Sequence, residues 1–393
     1  MIGYVVSNFP KLSETFISRE VLLLKKNDVK LNLYASKKPS TNEMNLFQSE
    51  TKLMINEVDY FTKYKVFSAL ILNANLFLKY FKLAKSLSNE ATNKTNTCLL
   101  LGRSIMLGKK ALSSRTRHLH AHWPYATMVV YLVHKIFGIT YSISIHAHEM
   151  FHENGHFKRT LKHMSFASFC NKAAMDVVIK NYPSLEPKCH LIYHGVNLNN
   201  FPLLKPLELN KRINIVSAGR LTSTKGFDRL IKACSICRER GLNIHLTILG
   251  IGGLDNELKE VAIRNNFRDY LNMPGWVDQE NVRNYMSKSH FFALMADVNY
   301  HDGLPNVALE AMSVGRPVIL SPLPAAKEAI INNENGFILT KKDDYEGFFT
   351  IINKLSNNPN AYMNICTNSR KKIETEFADY IHIKKMIELF KNC

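Results

Sequence analysis

Short apolar runs alternate with polar loops and amphipathic stretches from one end of the chain to the other, and few folds accept that pattern. IGYVVS leads through the loop NFPKLSET into FISREVLLLKK, and VKLNLYA follows. HLHAHW leads into the helical pattern YATMVVYLVHKIFG and then ITYSISIHAH, after which come FASFCNK, a further helix and CHLIYHG. Strands separated by helices cannot close as hairpins; they lie parallel in a sheet whose faces the helices cover, an α/β architecture. Ser13 or Thr15 is placed to cap the first helix. A second series starts at INIVSAGR and continues through IHLTILG, HFFALMA, RPVILS and GFILT. Between the two series, NLNNFPLLKPLELNKR has two prolines and no apolar period, which marks a join near residues 198–210. A length of 393 residues accommodates two domains of about 200 each. The spacing therefore predicts one parallel-sheet unit over 1–200, a second over 201–375, and an amphipathic terminal helix, FADYIHIKKMIELFK, within 376–393.

Composition excludes other classes. Hydrophobic residues make up 46% and charged residues 21%, which is too apolar for disorder. No stretch reaches the roughly 18 apolar residues of a spanning helix. Met1 opens directly onto an apolar run without a basic leader, and the seven cysteines are scattered, so a cytoplasmic location is expected. The formal charge of +18 is uneven: residues 1–200 carry 26 Lys/Arg against 12 Asp/Glu, and residues 201–393 carry 25 against 21. A basic first half points to an anionic partner. Residues 61–88 interleave Phe61, Tyr64, Phe67, Phe77, Tyr80 and Phe81 with Lys63, Lys65, Lys79, Lys82 and Lys85. That mixture reads first as an ordinary core-facing helix with a solvated basic face. The alternative, which with Lys109, Lys110, Arg115 and Arg117 in 109–117 would account for the uneven charge, is docking on an anionic membrane surface, the inner face of the plasma membrane. Specific nucleic-acid binding is not expected, because the chain has neither an aromatic–glycine RNA signature nor a recognition helix.

Two stretches carry chemistry. Ala218-Gly219-Arg220-Leu221-Thr222-Ser223-Thr224-Lys225-Gly226 directly follows the strand INIVS and enters a helix. Amides at that helix start, with the planar Arg220 fork and the compact charge of Lys225, would form a pocket for a diphosphate; a plain surface loop is the alternative. Asp302-Gly303-Leu304-Pro305-Asn306-Val307-Ala308-Leu309-Glu310 turns tightly into another helix. Carboxylates there suit neutral hydroxyls, as on a sugar ring, although Asp302 as a helix cap and Glu310 as a solvated residue would also fit the pattern.

GRLTSTKG, Gly275-Trp276-Val277, DGLPNVALEAM, GRPVILS and NGFIL stand in the order found in retaining glycosyltransferases of the GT-B fold. The chain resembles glycosyltransferase family 4, and SNFPKLSETFISRE and HAHW…SIHAHEMF resemble its colanic-acid and capsule-type bacterial members. The resemblance implies two Rossmann-like domains facing a cleft, with the terminal helix crossing back to the first. It implies that Gly219, Arg220, Lys225, Gly303, Leu304, Pro305, Asn306 and Glu310 bind a nucleotide-sugar donor, a UDP-sugar being favoured. Arg220 and Lys225 would hold the diphosphate in place of a metal, and Glu310 the ribose hydroxyls. Asp302 stands where the family has a glutamate against the transferred sugar, and Pro324-Ala325-Ala326-Lys327-Glu328 replaces the family's paired glycines. These departures keep a second reading open, a noncatalytic nucleotide-sugar-binding or scaffold subunit of a polysaccharide assembly. His146 matches the family histidine beside the reacting sugar, with His148 the alternative. Ser13, Glu14, Thr15, His120, His122, His148 and Glu149 are expected on the side of the acceptor, a glycan or a lipid-linked oligosaccharide.

Nine of the fifteen histidines fall between 118 and 163. His118, His120 and His122 alternate, as do His146 and His148, so each group shares a strand face. His148-Glu149-Met150-Phe151-His152 spells HExxH, but it follows a strand and enters the polar HENGH, where a helix is not expected. Neither a metal nor another cofactor is therefore expected. Cys234-x-x-Cys237 falls in the middle of a helical pattern, which argues against a redox pair.

Overall fold

In the first unit the apolar runs pair as parallel strands in the order β3-β2-β1-β4-β5-β6-β7. These are β1 Ile2–Asn8, β2 Leu31–Lys37, β3 Val58–Tyr60, β4 His118–His122, β5 Thr140–Ile145, β6 Ala167–Phe169 and β7 Cys189–Leu191. The structure, a computed structural model, describes residues 1–47, 49–91, 95–146, 155–209, 212–298 and 303–393. Strand alternation sorts the two sheet faces. Val5, Tyr34, Leu119, Ala121, Tyr141, Ile143 and Ile145 fall in one core, which Leu101, Ile105, Val129, Val130 and Val133 from the helices Thr97–Ser113 and Pro124–Phe137 complete. The opposite face carries Ile2, Tyr4 and Val6, covered by Ile17, Val21 and Leu24 of the helix Thr15–Lys26 and by Ile383, Met386 and Phe390. Those last three recur on one face of the terminal helix Asp379–Lys391, whose residues from Ile383 onward belong to this unit.

In the second unit the order is β10-β9-β8-β11-β12-β13. Here β8 is Ile213–Ala218, β9 Ile244–Leu249, β10 Leu271–Gly275, β11 Phe291–Leu294, β12 Val318–Leu320 and β13 Phe337–Ile338. All pairings are parallel, and the strands inside the sheet edge, β8, β11 and β12 above all, are apolar and buried.

Four local expectations need correction. The edge strands β3 and β10 were not anticipated, because VDY and LNMPG lack an apolar run; edge positions demand less burial. The segment expected as a linker is packed. The second unit begins at Tyr193, Phe201 is fully buried, and the carbonyl of Lys205 accepts from both terminal nitrogens of Arg316 at 3.2 and 3.1 Å. Arg316 is itself buried, and its remaining donors reach the carbonyls of Met286 and Ser287 at 3.0 and 3.3 Å, so its charge is solvated by peptide oxygens. Neither Ser13 nor Thr15 caps the first helix: its N-cap is Glu14, without a side-chain capping bond. Pro305, not Asp302, is the N-cap of the helix Asn306–Ser313. Cys234 and Cys237 lie inside the helix Phe227–Glu239, as expected, and both are buried; burial raises both thiols, Cys237 to about 12. Among the described residues no single helix is long and apolar enough to cross a membrane.

Candidate functional site

In an open parallel sheet, the loops at the carboxyl ends of the strands diverge where the strand order reverses, and the crevice there is where ligands bind. In the second unit that point lies between β8 and β11. The loop after β8 begins at Gly219, whose N–H donates to the Leu249 carbonyl at 2.9 Å. It then turns through Thr222–Lys225 to Gly226, at φ +65°. A Cβ at Gly226 would lie 1.9 Å from the Met295 carbonyl oxygen, so only glycine fits there. The loop after β11 is bonded directly onto it. Asp297 N–H donates to the Thr224 carbonyl at 2.8 Å, and Arg229 Nε donates to the Met295 carbonyl at 3.0 Å. Asp297 is held in turn by Lys342 at 2.8 Å.

These bonds fix where the candidate donor residues stand. Arg220 is exposed, and among the described residues its guanidinium has no hydrogen-bond partner; Lys225 is half-buried. A Cβ at Gly219 would meet only ordinary contacts, Phe227 at 3.5 Å and Lys225 at 3.7 Å, so packing within the chain does not require that glycine. Gly303, Leu304 and Pro305 lead into the helix Asn306–Ser313, whose first turn follows the loop after β11. Glu310, one turn further in, is buried at 9% exposure, which rules out the solvated-residue reading. Sequence reasoning missed the loop Gly250–Gly253 after β9. A Cβ at Gly250 would lie 1.9 Å from the Gly219 oxygen, and one at Gly252 would lie 2.4 Å from the Leu221 oxygen. The G-x-G-G after a predicted strand was the available signal. Ala325 and Ala326, in place of glycines, are buried at the start of a short helix. Asp302 lies outside the described residues.

In the first unit the order reverses between β1 and β4. The loop after β1 ends at Glu14, half-buried, and exposed Thr15 opens the helix Thr15–Lys26; nothing is described of the Ser13 side chain. Glu14 pairs with Lys11 and accepts from Trp123 Nε1 at 3.0 Å. Trp123, which follows β4, sits at φ +74° and stacks on the His146 ring at 4.2 Å between centroids. A non-glycine residue in that backbone region is held there by its surroundings, here the Glu14 bond and the ring stack. His148, Glu149 and the rest of the HExxH run lie outside the described residues.

Below His146 runs a buried polar ladder. β4 and β5 pair His118 with Thr140, His120 with Ser142 and His122 with Ser144. His118 bonds Thr140 Oγ1 at 2.9 Å and Ser142 Oγ at 2.7 Å; His120 bonds Ser142 Oγ at 2.8 Å and Ser144 Oγ at 2.9 Å. Both nitrogens of His120 are thus committed within the unit and its side chain is fully buried. His120 supports the site from beneath and does not line an acceptor pocket. The ligand atoms of Glu20, His120 and His122 lie within 4.8 Å of one another, but the serine bonds to His120 occupy the lone pair that a metal would need.

The ladder ends in a directed chain. Tyr4 donates its hydroxyl proton to Glu20 at 2.6 Å, so its oxygen accepts from His122 Nε2 at 2.5 Å. His122 Nδ1 is then an acceptor for His146 Nε2 at 3.3 Å. With Glu20 ionised, this sequence of bonds leaves Nδ1 as the acceptor atom of the His146 ring. Burial raises Glu20 to about 7, partly offset by the Tyr4 bond, and lowers His146 to about 3 and His118 to about 4. His146 is accordingly neutral at pH 7: it offers hydrogen bonds, not charge. Tyr4 and Glu20 were missed, since one sits in an apolar strand and the other on a helix, and only the fold brings them together.

Residues 203–372 match the family model described as Glycosyl transferases group 1. The chain is 28% identical over 207 residues to the amylovoran biosynthesis glycosyltransferase AmsK of Erwinia amylovora, covering 52% of this chain and 51% of that protein. It is also 28% identical over 176 residues to the capsular polysaccharide biosynthesis glycosyltransferase CapM of Staphylococcus aureus, 44% of each chain. The chain thus spans about half the length of the curated relatives it matches. Among solved structures, Alr3699/HepE of Anabaena in complex with UDP superposes over 100% of both chains with a TM-score of 0.76 at 14% identity, a likeness of fold.

Proposed function

We propose, on the GT-B fold that these likenesses show, that the chain is a retaining hexosyltransferase that needs no metal. It moves a sugar from a nucleotide diphosphate donor, a UDP-sugar by preference, to a hydroxyl of a lipid-linked or surface-polysaccharide acceptor at the inner face of the plasma membrane. One observation carries the reading: at the strand-order reversal between β8 and β11, the exposed Arg220, the half-buried Lys225 and the start of the helix bearing buried Glu310 stand on loops bonded to each other. The UDP complex of HepE and the names of AmsK and CapM support donor class and pathway.

In this reading the second unit takes the donor. The departing diphosphate gains negative charge as the glycosyl bond breaks. Arg220, Lys225 and the helix amides, already in place, neutralise it without reorganisation. Glu310 accepts from the ribose hydroxyls, and Asp302 contacts the transferred sugar. The diphosphate oxygen takes the proton of the acceptor hydroxyl on the face it leaves, which retains configuration. The first unit takes the acceptor, with Glu14, Thr15 and the neutral His146 offering hydrogen bonds to its hydroxyls.

The test is a panel of nucleotides and nucleotide sugars in a thermal-shift assay, followed by transfer assays with the best ligand. A ligand at about 100 times its dissociation constant adds about 2.7 kcal/mol. UDP and one UDP-sugar should raise the melting temperature, and that sugar should appear in product with its anomeric configuration kept. No shift with any nucleotide would refute the donor site; tight binding without transfer to any glycan extract would favour the noncatalytic subunit.

A further inference from the structure

The helices Lys63–Ile71 and Ala74–Glu90 form a bent pair, their axes 108° apart across Leu72 and Asn73. Their inner faces are anchored. Val66 is fully buried and, with Leu70, meets the helix Thr97–Ser113 at Gly102, while Ala84 and Leu87 are fully buried in the first unit's core. Their outer faces hold large apolar side chains in water: Phe67 is 55% exposed, Ile71 78%, Leu72 80% and Leu78 72%. Phe67 and Ile71 lie one turn apart on one helix face, and Leu72 continues it around the bend. Leu78 shares the outer stripe of the second helix with Lys79, Lys82 and Lys85, all exposed, as is Lys65. Residues 61–89 contain five lysines and no acidic residue. Isolated exposed apolar residues need no explanation, but four of them at one bend mark a surface that something covers.

We infer that this bend is a docking surface for an anionic lipid bilayer. Apolar side chains enter the acyl boundary while lysines on the same outer stripe reach the phosphate layer, the division of labour of an interfacial helix. Charge complementarity selects lipid over a second copy of this chain, whose matching surface would set lysine against lysine. Neither helix alone is long and apolar enough to cross, and with their inner faces packed against the first unit's core the bent pair suits an interfacial position.

Vesicle sedimentation tests this without any donor or acceptor, so its outcome is independent of the enzymatic reading. The wild-type chain should sediment at low salt with vesicles of about 30% phosphatidylglycerol in phosphatidylcholine, and not with pure phosphatidylcholine. Phe67→Ser, Ile71→Ser, Leu72→Ser and Leu78→Ser together should lower binding at least about tenfold, and so should Lys79→Glu, Lys82→Glu and Lys85→Glu together. All seven positions are solvent-facing, and unchanged circular dichroism and melting would show that the fold is kept. Absence of wild-type binding would overturn the proposal. Binding undiminished by the serine substitutions would overturn it too, as would a wild-type dimer in sedimentation velocity that those substitutions abolish without any vesicle binding.

Discussion

Replacing Glu20 by glutamine removes a titration that the fold has displaced. In the unfolded chain Glu20 titrates near 4.5; in the fold, burial beside Tyr4 raises it to about 7. A carboxyl raised on folding stabilises the native state fully below pH 4.5, and that contribution is lost as pH rises through about 7. At about 1.4 kcal/mol per pH unit that displacement is worth about 3.5 kcal/mol at most, and about 3 kcal/mol once the 14% of the side chain still facing water is allowed for. Glutamine keeps the size and can still accept from Tyr4, and it stays neutral at every pH. The other ionisable groups around it, Tyr4, His120 and His122, are common to both proteins and cancel in the difference. For the unit that holds Glu20, about 200 residues, 1 kcal/mol moves the melting temperature by roughly 2–4 °C. The variant should therefore melt with wild type near pH 4 and up to roughly 6–12 °C above it near pH 8.5. Parallel curves across the range, or a less stable variant near pH 8.5, would refute the burial argument.

Arg220→Ala and Lys225→Ala should each lower turnover by about 10²–10³-fold with folding intact, while chelator leaves wild-type activity unchanged; full activity in both variants would remove the mechanism. Gly226→Ala forces a Cβ to 1.9 Å from the Met295 oxygen at φ +65° and should cost roughly 2–3 kcal/mol in a denaturant melt, an unshifted midpoint being the contrary result. His118 and His146, lowered by burial to about 4 and about 3, stabilise the fold above pH 6.5 and lose that contribution as pH falls. The denaturation midpoint should drop between pH 7 and 4.5, and His118→Gln should flatten the drop. Cys234 and Cys237 should stay unreactive towards a thiol reagent until the protein is denatured; rapid labelling of the native protein would contradict their burial.

Periodicity alone specified two α/β parallel-sheet units, because a strand followed by a helix leaves few ways to bury both. It also located the Arg220–Lys225 loop and the start of the Glu310 helix, since glycine and proline declare turns locally. What it left open depended on neighbours distant in sequence. The stretch near 198–210 reads as a join by its prolines and lack of period, yet the buried Arg316 donates to its Lys205 carbonyl and Phe201 lies fully buried. Equivalent-looking histidines on one strand received different tasks: His120 is locked between Ser142 and Ser144, while His122 relays between Tyr4 and His146. Local spacing decides which face a side chain takes. Which partner waits on that face, and hence whether a polar group is buried, neutral or available to a ligand, is decided by strands and helices that the chain brings together only when it folds.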